Sequence, residues 1–140
     1  MAKRSWLFLV VGLVLGASLQ WTRAADAESA GKVFEIRTYH TFPDRLDALH
    51  KRFREHTMKI FEKHGMTNVG YWVPQDSPAH ESTLIYVISH PSREAAKANW
   101  AAFSADPEWK KVSDDSQKDG KIVERVESVF MDATDYSPLK

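Results

Sequence analysis

The run Leu84-Ile85-Tyr86-Val87-Ile88 constrains the fold of this chain most strongly. Its five consecutive apolar residues lie between polar segments and are rich in β-branched and aromatic types, which predicts a strand from Thr83 to Ser89. A strand that is apolar on both sides must be buried on both faces of its sheet. The fold must therefore cover one face of this sheet with helices and find apolar cover for the other.

Three further segments have the spacing of strands. Val33 to His40 alternates apolar and polar residues, and Thr67 to Val73 contains Val69, Tyr71, Trp72 and Val73, which are of types that favour strands. Lys121 to Met131 is apolar on both sides, like the central run. The tail from Asp132 to Lys140 contains a proline and is expected to lie along the surface.

Two amphipathic regions separate these strands. From Pro43 to His64 apolar residues recur every three or four positions, which predicts a helix of 22 residues. Pro43 suits its first turn, and Gly65 suits a left-handed C-cap. Ser92 is the expected N-cap of a second helix, and a shorter helix starts at Asp106-Pro107. The order β-α-β-β-α-β predicts an α+β fold, the ferredoxin-like sandwich.

A sandwich of this kind covers one face of its sheet with helices. An identical subunit would cover the second face, so we predict a homodimer that closes into a dimeric α+β barrel. The chain has no cysteine, which excludes disulfides, thiolate nucleophiles and cysteine-based metal sites. Packing and dimer closure are therefore the expected sources of stability.

The amino-terminal segment has the three regions of a secretory signal peptide. Met1-Ala2-Lys3-Arg4 is a basic start, Trp6 to Leu19 is an apolar run of 14 residues, and Ala25-Asp26-Ala27 supplies small residues ahead of a cleavage site. A membrane span needs about 20 apolar residues, so this run is short for a retained anchor. The pattern predicts an exported protein, periplasmic or extracellular.

The expected organisation follows from this cleavage. Residues 1–27 form the signal peptide, residues 28–32 a short leader and residues 33–140 the domain, with cleavage after Ala24 or retention as an anchor as the alternatives. Removal of the signal peptide changes the balance from 19 basic and 19 acidic residues to 16 and 18. No basic excess remains for phosphate binding, so we expect neither a nucleic-acid partner nor, after cleavage, a membrane partner.

Five separated motifs, taken in order, resemble the NIPSNAP family. They are Phe34-Glu35-Ile36-Arg37-Thr38-Tyr39, Glu62-Lys63-His64-Gly65, Val69-Gly70-Tyr71-Trp72-Val73, Asp106-Pro107-Glu108-Trp109 and Asp135-Tyr136-Ser137-Pro138-Leu139. The resemblance implies a dimeric α+β barrel, in a superfamily that also contains antibiotic-biosynthesis monooxygenases, haem-degrading enzymes and chlorite dismutase-like proteins. It brings no established reaction. Animal members are linked to mitochondria and vesicle traffic, whereas this chain has an export signal and a single domain.

Candidate pocket residues come from the long helix and from aromatic side chains. A helical wheel directs His50, Thr57 and His64 towards the sheet, and buried polar groups must be bonded locally or line a pocket. The resemblance implies ligands between helices and sheet. The candidates are Thr38, His50, His56, His64, Tyr71, Trp72 and Trp100. The alternative is that these histidines and aromatic residues belong to the core.

Charged residues on two predicted strands are expected to be structural. Glu35 and Arg37 share one face of the first strand, and Arg125 and Glu127 share one face of the last. These strands are neighbours in a ferredoxin-like sheet, so we expect ion pairs across them. A partly buried arginine that holds a carboxylate substrate is the alternative.

The sequence predicts no metal site. His50 and His64 are 14 residues apart, about 21 Å along one helix, which is too far to share an ion. We expect no cofactor, with haem held by histidine as the alternative.

Three functions remain open. The leading hypothesis is a protein that binds a small molecule between helices and sheet. The second is a cofactor-free or haem-dependent oxidoreductase, such as a monooxygenase, and the third is a structural or protein-interaction module.

Overall fold

The computed structural model describes residues 31–140, so the expected signal peptide and most of the expected leader lie outside the described residues. Four antiparallel strands form one sheet in the spatial order β2-β3-β1-β4. The strands are β1 (Val33–Thr41), β2 (Thr67–Trp72), β3 (Thr83–His90) and β4 (Val123–Asp132). This order is that of the ferredoxin-like sandwich, which confirms the α+β prediction.

The helices pack against one face of this sheet. A continuous helical stretch consists of α1, a π-helical segment and α2, and two further helices follow β3. Their bounds are α1 (Leu46–Arg52), the π-helical segment (Phe53–Thr57), α2 (Met58–Lys63), α3 (Arg93–Ala105) and α4 (Pro107–Ser116), with a 3₁₀ turn at Ala79–Glu81. Among residues 31–140, no helix combines the length and the apolar character needed to cross a bilayer.

The long helix begins later than the sequence predicts. Asp44 has a φ of 60°, and the amide of Arg45 donates to the carbonyl of Phe42 at 3.2 Å. Pro43 therefore lies in a tight turn and not in the first helical turn, because the left-handed residue after it interrupts helical geometry. The helix ends as expected, since Gly65 has a φ of 74°.

The prediction of one regular helix is wrong at its centre. Phe53–Thr57 is π-helical, and the Thr57 hydroxyl donates to the carbonyl of Arg52, five residues back, at 3.2 Å. A π turn holds one more residue than an α turn, so every later side chain is rotated from its place on a regular wheel. Arg52 and Phe53, which lie at the start of this segment, are both buried, with exposures of 6% and 4%.

The two remaining helix starts agree with the sequence. Ser92 Oγ accepts a hydrogen bond from the amide of Ala95 at 3.0 Å, and Asp106 Oδ1 accepts one from the amide of Glu108 at 2.8 Å. Both are N-caps that satisfy amides with no partner inside the helix.

The core lies between the helices and the sheet. Tyr86 of β3 is fully buried at its centre, and its ring centroid lies 5.1 Å from that of Phe53 and 5.3 Å from those of Tyr39 and Tyr71. Phe61 of α2 extends this aromatic cluster towards α3. Aromatic packing therefore fixes the distance between the helical layer and the sheet.

The opposite face of the sheet carries apolar side chains that helices do not cover; we call it the open face. Ile36 of β1 lies there, paired with Val87 of β3 and Val129 of β4. Val129 is 57% exposed and Trp72 is 53% exposed. The carboxyl-terminal tail borders this face at one end, where Leu139 helps to enclose a cavity of about 310 Å³.

Candidate functional site

A buried carboxylate organises the helix-facing side of the sheet. Glu35 of β1 is 1% exposed. Its Oε1 accepts from Arg37 Nη1 at 2.7 Å and from Ser128 Oγ at 2.6 Å. Its Oε2 accepts from Trp100 Nε1 at 2.7 Å and lies 3.2 Å from His90 Nε2. One side chain thus links three strands to α3.

The surroundings of Glu35 keep it ionised. Burial by itself would raise the pKa of this carboxyl, but four hydrogen-bond donors outweigh burial and hold the pKa at about 2. A carboxylate that is fully bonded and ionised at neutral pH is unsuited to proton transfer there. Glu35 instead fixes the positions of Arg37 and Trp100.

His90 extends this network and was missed by the sequence analysis. It is 1% exposed, and its Nδ1 lies 3.4 Å from Asn99 Nδ2. An Nε2–H that donates to Glu35 leaves Nδ1 to accept from the Asn99 amide, so both ring nitrogens are engaged. Alternation with Tyr86 and Ile88 along β3 is the signal that could have placed His90 on the buried face.

Two arginines and two tyrosines lie together beneath the helices; we call Arg37, Tyr39, Arg52 and Tyr86 the Arg–Tyr cluster. The phenol groups of both tyrosines interact electrostatically with both guanidinium groups. The guanidinium carbon of Arg37 lies 4.3 Å from the centroid of the Trp100 ring. Arg37 is therefore held by Glu35 on one side and by an aromatic face on the other.

Arg52 has no carboxylate partner, although its guanidinium carbon lies 5.3 Å from the centroid of the Trp109 ring. It is 6% exposed, its Nε makes no hydrogen bond, and within the described part of the chain no carboxylate pairs with its guanidinium. Burial lowers the pKa of Arg52, whereas the pKa of Arg37 is raised because Tyr39 and Glu35 outweigh its burial. Arg52 thus carries an uncompensated positive charge inside the protein.

A groove between α1 and α4 leads to Arg52. Its volume is about 550 Å³, and among the residues that line it Arg52 is the buried one. Ala48 and Val112 give the groove an apolar part, and charged side chains surround its mouth. Arg52 therefore forms the floor of a cleft that is open to solvent.

A second, smaller cavity of about 290 Å³ lies beside β2. It is lined mainly by apolar atoms and includes three of the predicted pocket residues, His50, Tyr71 and Trp72. Phe53 and Leu84 separate it from the core.

The other four predicted pocket residues lie elsewhere. His56 lines the groove above Arg52, and Trp100 contacts Glu35. His64 Nε2 bonds to Asp106 Oδ2 at 2.7 Å. Thr38 lies on the open face, because it is one residue away from Arg37 and successive strand residues point to opposite faces. The seven residues therefore do not form one pocket.

The predicted ion pairs form within strands and not between them. Arg37 pairs with Glu35, and Arg125 pairs with Glu127. The register places Arg37 opposite Ser128 and Thr38 opposite Glu127, so the two pairs lie on opposite faces of the sheet. Pairing across the strands, as expected from the sequence, is excluded by that register.

Asp106 anchors the junction of α3 and α4. Lys63 Nζ and His64 Nε2 reach Asp106 Oδ2 at 2.8 Å and 2.7 Å. Lys63, then His64, hold the pKa of this carboxyl well below its usual range. His64 is thus part of a link between the end of α2 and the next two helices.

Among residues 31–140, no group of three or more histidine and carboxylate side chains is placed to hold an ion. The Nε2 atoms of His64 and His90 are bonded to carboxylates. His50 lines a cavity of about 290 Å³, at the low end of ligand sites.

We predict that Glu35→Gln destabilises the protein by about 3 kcal/mol at pH 7, because Arg37 loses its counter-charge. The pKa of Glu35 is about 2 against an ordinary 4.5, so its contribution is complete above pH 4.5 and is lost as the pH falls towards 2. Urea unfolding at several pH values measures both effects.

The matched control for this experiment is Glu94→Gln, which alters an exposed carboxylate in the first turn of α3. Glu35→Gln should also lose less stability than the wild type between pH 4.5 and 2. Equal stability of Glu35→Gln and wild type at pH 7, or the same acid profile in both, would contradict a stabilising role for the Glu35 network.

Structures with this fold include several from one family. A NIPSNAP family protein of unknown function from Agrobacterium tumefaciens is 23% identical, with a TM-score of 0.68 over 80% of this chain and 96% of the other. A NIPSNAP-like domain protein from Burkholderia xenovorans is 16% identical, with a TM-score of 0.67 over 78% and 90%. At these identities the similarity shows the fold.

A further similar structure has a described activity. SnoaB from Streptomyces nogalater, a cofactor-independent oxygenase, is 11% identical, with a TM-score of 0.52 over 78% of this chain and 99% of the other. At this identity the similarity again shows the fold alone. No curated protein matches the sequence. The NIPSNAP family model matches residues 34–138, three quarters of the chain. This protein therefore belongs to the NIPSNAP family, as its five motifs suggested.

Proposed function

We propose that this protein binds a small molecule in the groove between α1 and α4. The observation that carries the proposal is Arg52, a buried guanidinium whose Nε makes no hydrogen bond and which has no carboxylate partner in the described part of the chain, at the floor of a groove of about 550 Å³. That volume is typical of ligand sites. An unpaired buried charge costs several kcal/mol, and a ligand that supplies the missing acceptors would remove this cost.

The surroundings of Arg52 support a preformed site. Glu35 holds Arg37 at 2.7 Å, and the aromatic core around Tyr86 fixes the sheet below the groove. Side chains held by hydrogen bonds and packing lose little freedom when a ligand binds. The proposed site thus differs from the pocket suggested by the sequence, because its buried polar group is Arg52, and of the predicted residues His56 alone lines it.

A cofactor-independent oxygenase is the second candidate. N–H and O–H groups of the Arg–Tyr cluster would stabilise an oxyanion, such as the enolate or phenolate form of an organic substrate. An electron-rich anion of this kind can react with dioxygen directly. The fold shared with SnoaB is compatible with this activity and does not by itself establish it.

The binding proposal predicts that some compounds in a panel of small metabolites raise the melting temperature of the purified protein. A ligand at 100 times its Kd adds about 2.7 kcal/mol to stability. The same compounds should not stabilise Arg52→Met, and should stabilise Lys59→Met, which removes an exposed charge outside the groove. Differential scanning fluorimetry and native mass spectrometry provide the measurements.

Two results would contradict small-molecule binding in the groove: no stabilising compound in the panel, or equal stabilisation of wild type and Arg52→Met. Oxygen uptake on addition of a stabilising compound, in protein freed of metals and flavin, would favour the oxygenase. Binding without oxygen uptake would favour a binding protein.

We also propose that the protein is a homodimer that joins two sheets through their open faces. Val129, Trp72 and Met131 are exposed there by 57%, 53% and 36%, and no described helix covers them. A stable interface buries about 800 Å² on each partner, and apolar sheet faces meet this need in a sandwich. The two strands whose sequences are apolar on both sides, β3 and β4, would then be buried on both faces of the sheet.

The dimer predicts that Val129→Glu yields monomers, because the new carboxylate would lose its hydration at the interface. Sedimentation equilibrium at micromolar concentrations should give the dimer mass for the wild type and for Lys97→Glu, an exposed change on α3. Circular dichroism confirms folding of the variants. A monomeric wild type, or a folded Val129→Glu that stays dimeric, would refute this arrangement.

We propose in addition that the protein is exported and loses its amino-terminal segment. The basic start, the apolar run of 14 residues and the small residues near Ala27 support this. Mass spectrometry of the protein from the periplasmic or extracellular fraction of its host should find an amino terminus at Glu28, or at Ala25. An intact chain in the cytoplasm would count against export.

A further inference from the structure

The unsatisfied atoms of the Arg–Tyr cluster are all donors. Arg37 Nε, Arg52 Nε and the Tyr86 hydroxyl are buried and make no hydrogen bond. Guanidinium nitrogens can only donate. Burial raises the pKa of Tyr86 well above its usual value, so its hydroxyl keeps its proton and offers it as well. Arg37 Nε and Arg52 Nε therefore have no acceptor among the described residues.

The charges of Glu35, Arg37 and Arg52 indicate how much negative charge a ligand should carry. Glu35 lies 2.7 Å from Arg37 and neutralises it. Tyr86 keeps its proton, so it does not neutralise Arg52. One positive charge is left without compensation, which calls for a single negative charge with at least two acceptor lone pairs. A carboxylate has this charge and can accept two parallel hydrogen bonds from one guanidinium.

The mouth of the groove argues against more highly charged anions. Four acidic side chains line it. Three lysine and arginine side chains also line it outside the buried floor, and one of these, Arg45, donates hydrogen bonds to the carbonyls of Ser116 and Gly120. The acidic residues are Glu55, Glu108, Asp115 and Asp119. Lys63 pairs with Glu108, and Lys111 and Lys118 pair with Asp115. The carboxylates of Glu55 and Asp119 have no lysine partner among the described residues, and they would repel a phosphate dianion or a nucleotide more strongly than a monoanion. Ala48 and Val112 offer contacts to an apolar body.

We infer that the groove takes a small organic monocarboxylate, with its carboxylate on the Arg52 guanidinium and its apolar body against Ala48 and Val112. This inference rests on the proposed function and names the ligand class of the same site. It also assigns Arg52 to ligand binding and not to the stability of the unliganded fold.

A matched series of probes tests the charge. 3-Phenylpropanoate carries one negative charge, 3-phenylpropanamide is its neutral counterpart, and phenyl phosphate is close to a dianion at neutral pH. Isothermal titration calorimetry with the purified protein should show binding of the carboxylate. The amide should bind at least about tenfold more weakly, because it makes no charge-assisted hydrogen bond to Arg52. Phenyl phosphate should also bind at least about tenfold more weakly, because the acidic residues at the mouth repel its second charge.

Variants of Arg52 test the residue. Arg52→Met should bind 3-phenylpropanoate at least about tenfold more weakly, while Lys59→Met should bind it like the wild type. Without ligand, Arg52→Met should melt at or above the wild-type temperature, because it removes an uncompensated buried charge. An arginine needed for the fold would give the opposite shift, so this readout separates a binding role from a structural one.

The outcomes separate this inference from the proposal on which it rests. If the amide or phenyl phosphate binds as well as the carboxylate, or if Arg52→Met melts well below the wild type, the monocarboxylate inference is overturned. If none of the three probes binds but other metabolites stabilise the wild type and not Arg52→Met, this inference fails and the proposed function stands. If no compound binds in the groove, both fail.

Discussion

The fold of this NIPSNAP protein depends on one buried carboxylate. Glu35 is 1% exposed and accepts hydrogen bonds from β1, β4 and α3 while it faces a histidine of β3. An ion in such a position is tolerated because its donors outweigh the cost of desolvation. The hydrogen bonds also restrict how α3 can lie on the sheet, so Glu35 provides geometric definition as well as stability.

The contrast between Arg37 and Arg52 follows from Glu35. Both guanidinium groups lie beside Tyr39 and Tyr86, and one carboxylate is present for the two of them. Because Glu35 is on the same strand as Arg37, two residues away, it pairs with that arginine. Arg52 enters from the helical layer, beyond its reach, and lines the groove. The layer between helices and sheet thus contains the ion pair of Glu35 with Arg37 and, beside it, the guanidinium of Arg52 at the floor of the groove.

Local signals in the sequence were sufficient for the architecture. The strand order followed from alternation and apolar runs, and the N-caps at Ser92 and Asp106 formed as expected, because capping depends on neighbouring residues only. The turn at Asp44 was missed, since its left-handed conformation replaces a helical turn that Pro43 would equally have suited.

The candidate site was harder to predict because it depends on tertiary structure. On a regular wheel Arg52 lies away from the apolar stripe, and its burial arises where α4 covers that side of α1. The sheet register, which separates Thr38 from Arg37 and the two ion pairs from each other, is likewise set by pairing between distant segments. Individual side chains such as Trp100 were identified, but their partners were not.

The π-helical segment makes the number of residues between α1 and α2 important for the fold. Phe53–Thr57 contains one residue more than an α-helix would use to cover the same rise, as if a single residue had been inserted there. Deletion of that residue would restore a regular helix and turn Ile60 and Phe61 by about 100° relative to Arg52. Ile60 and Phe61 could then not stay in the core while Arg52 stayed at the floor of the groove. The number of residues in this helical stretch therefore sets the orientation of the core relative to the groove.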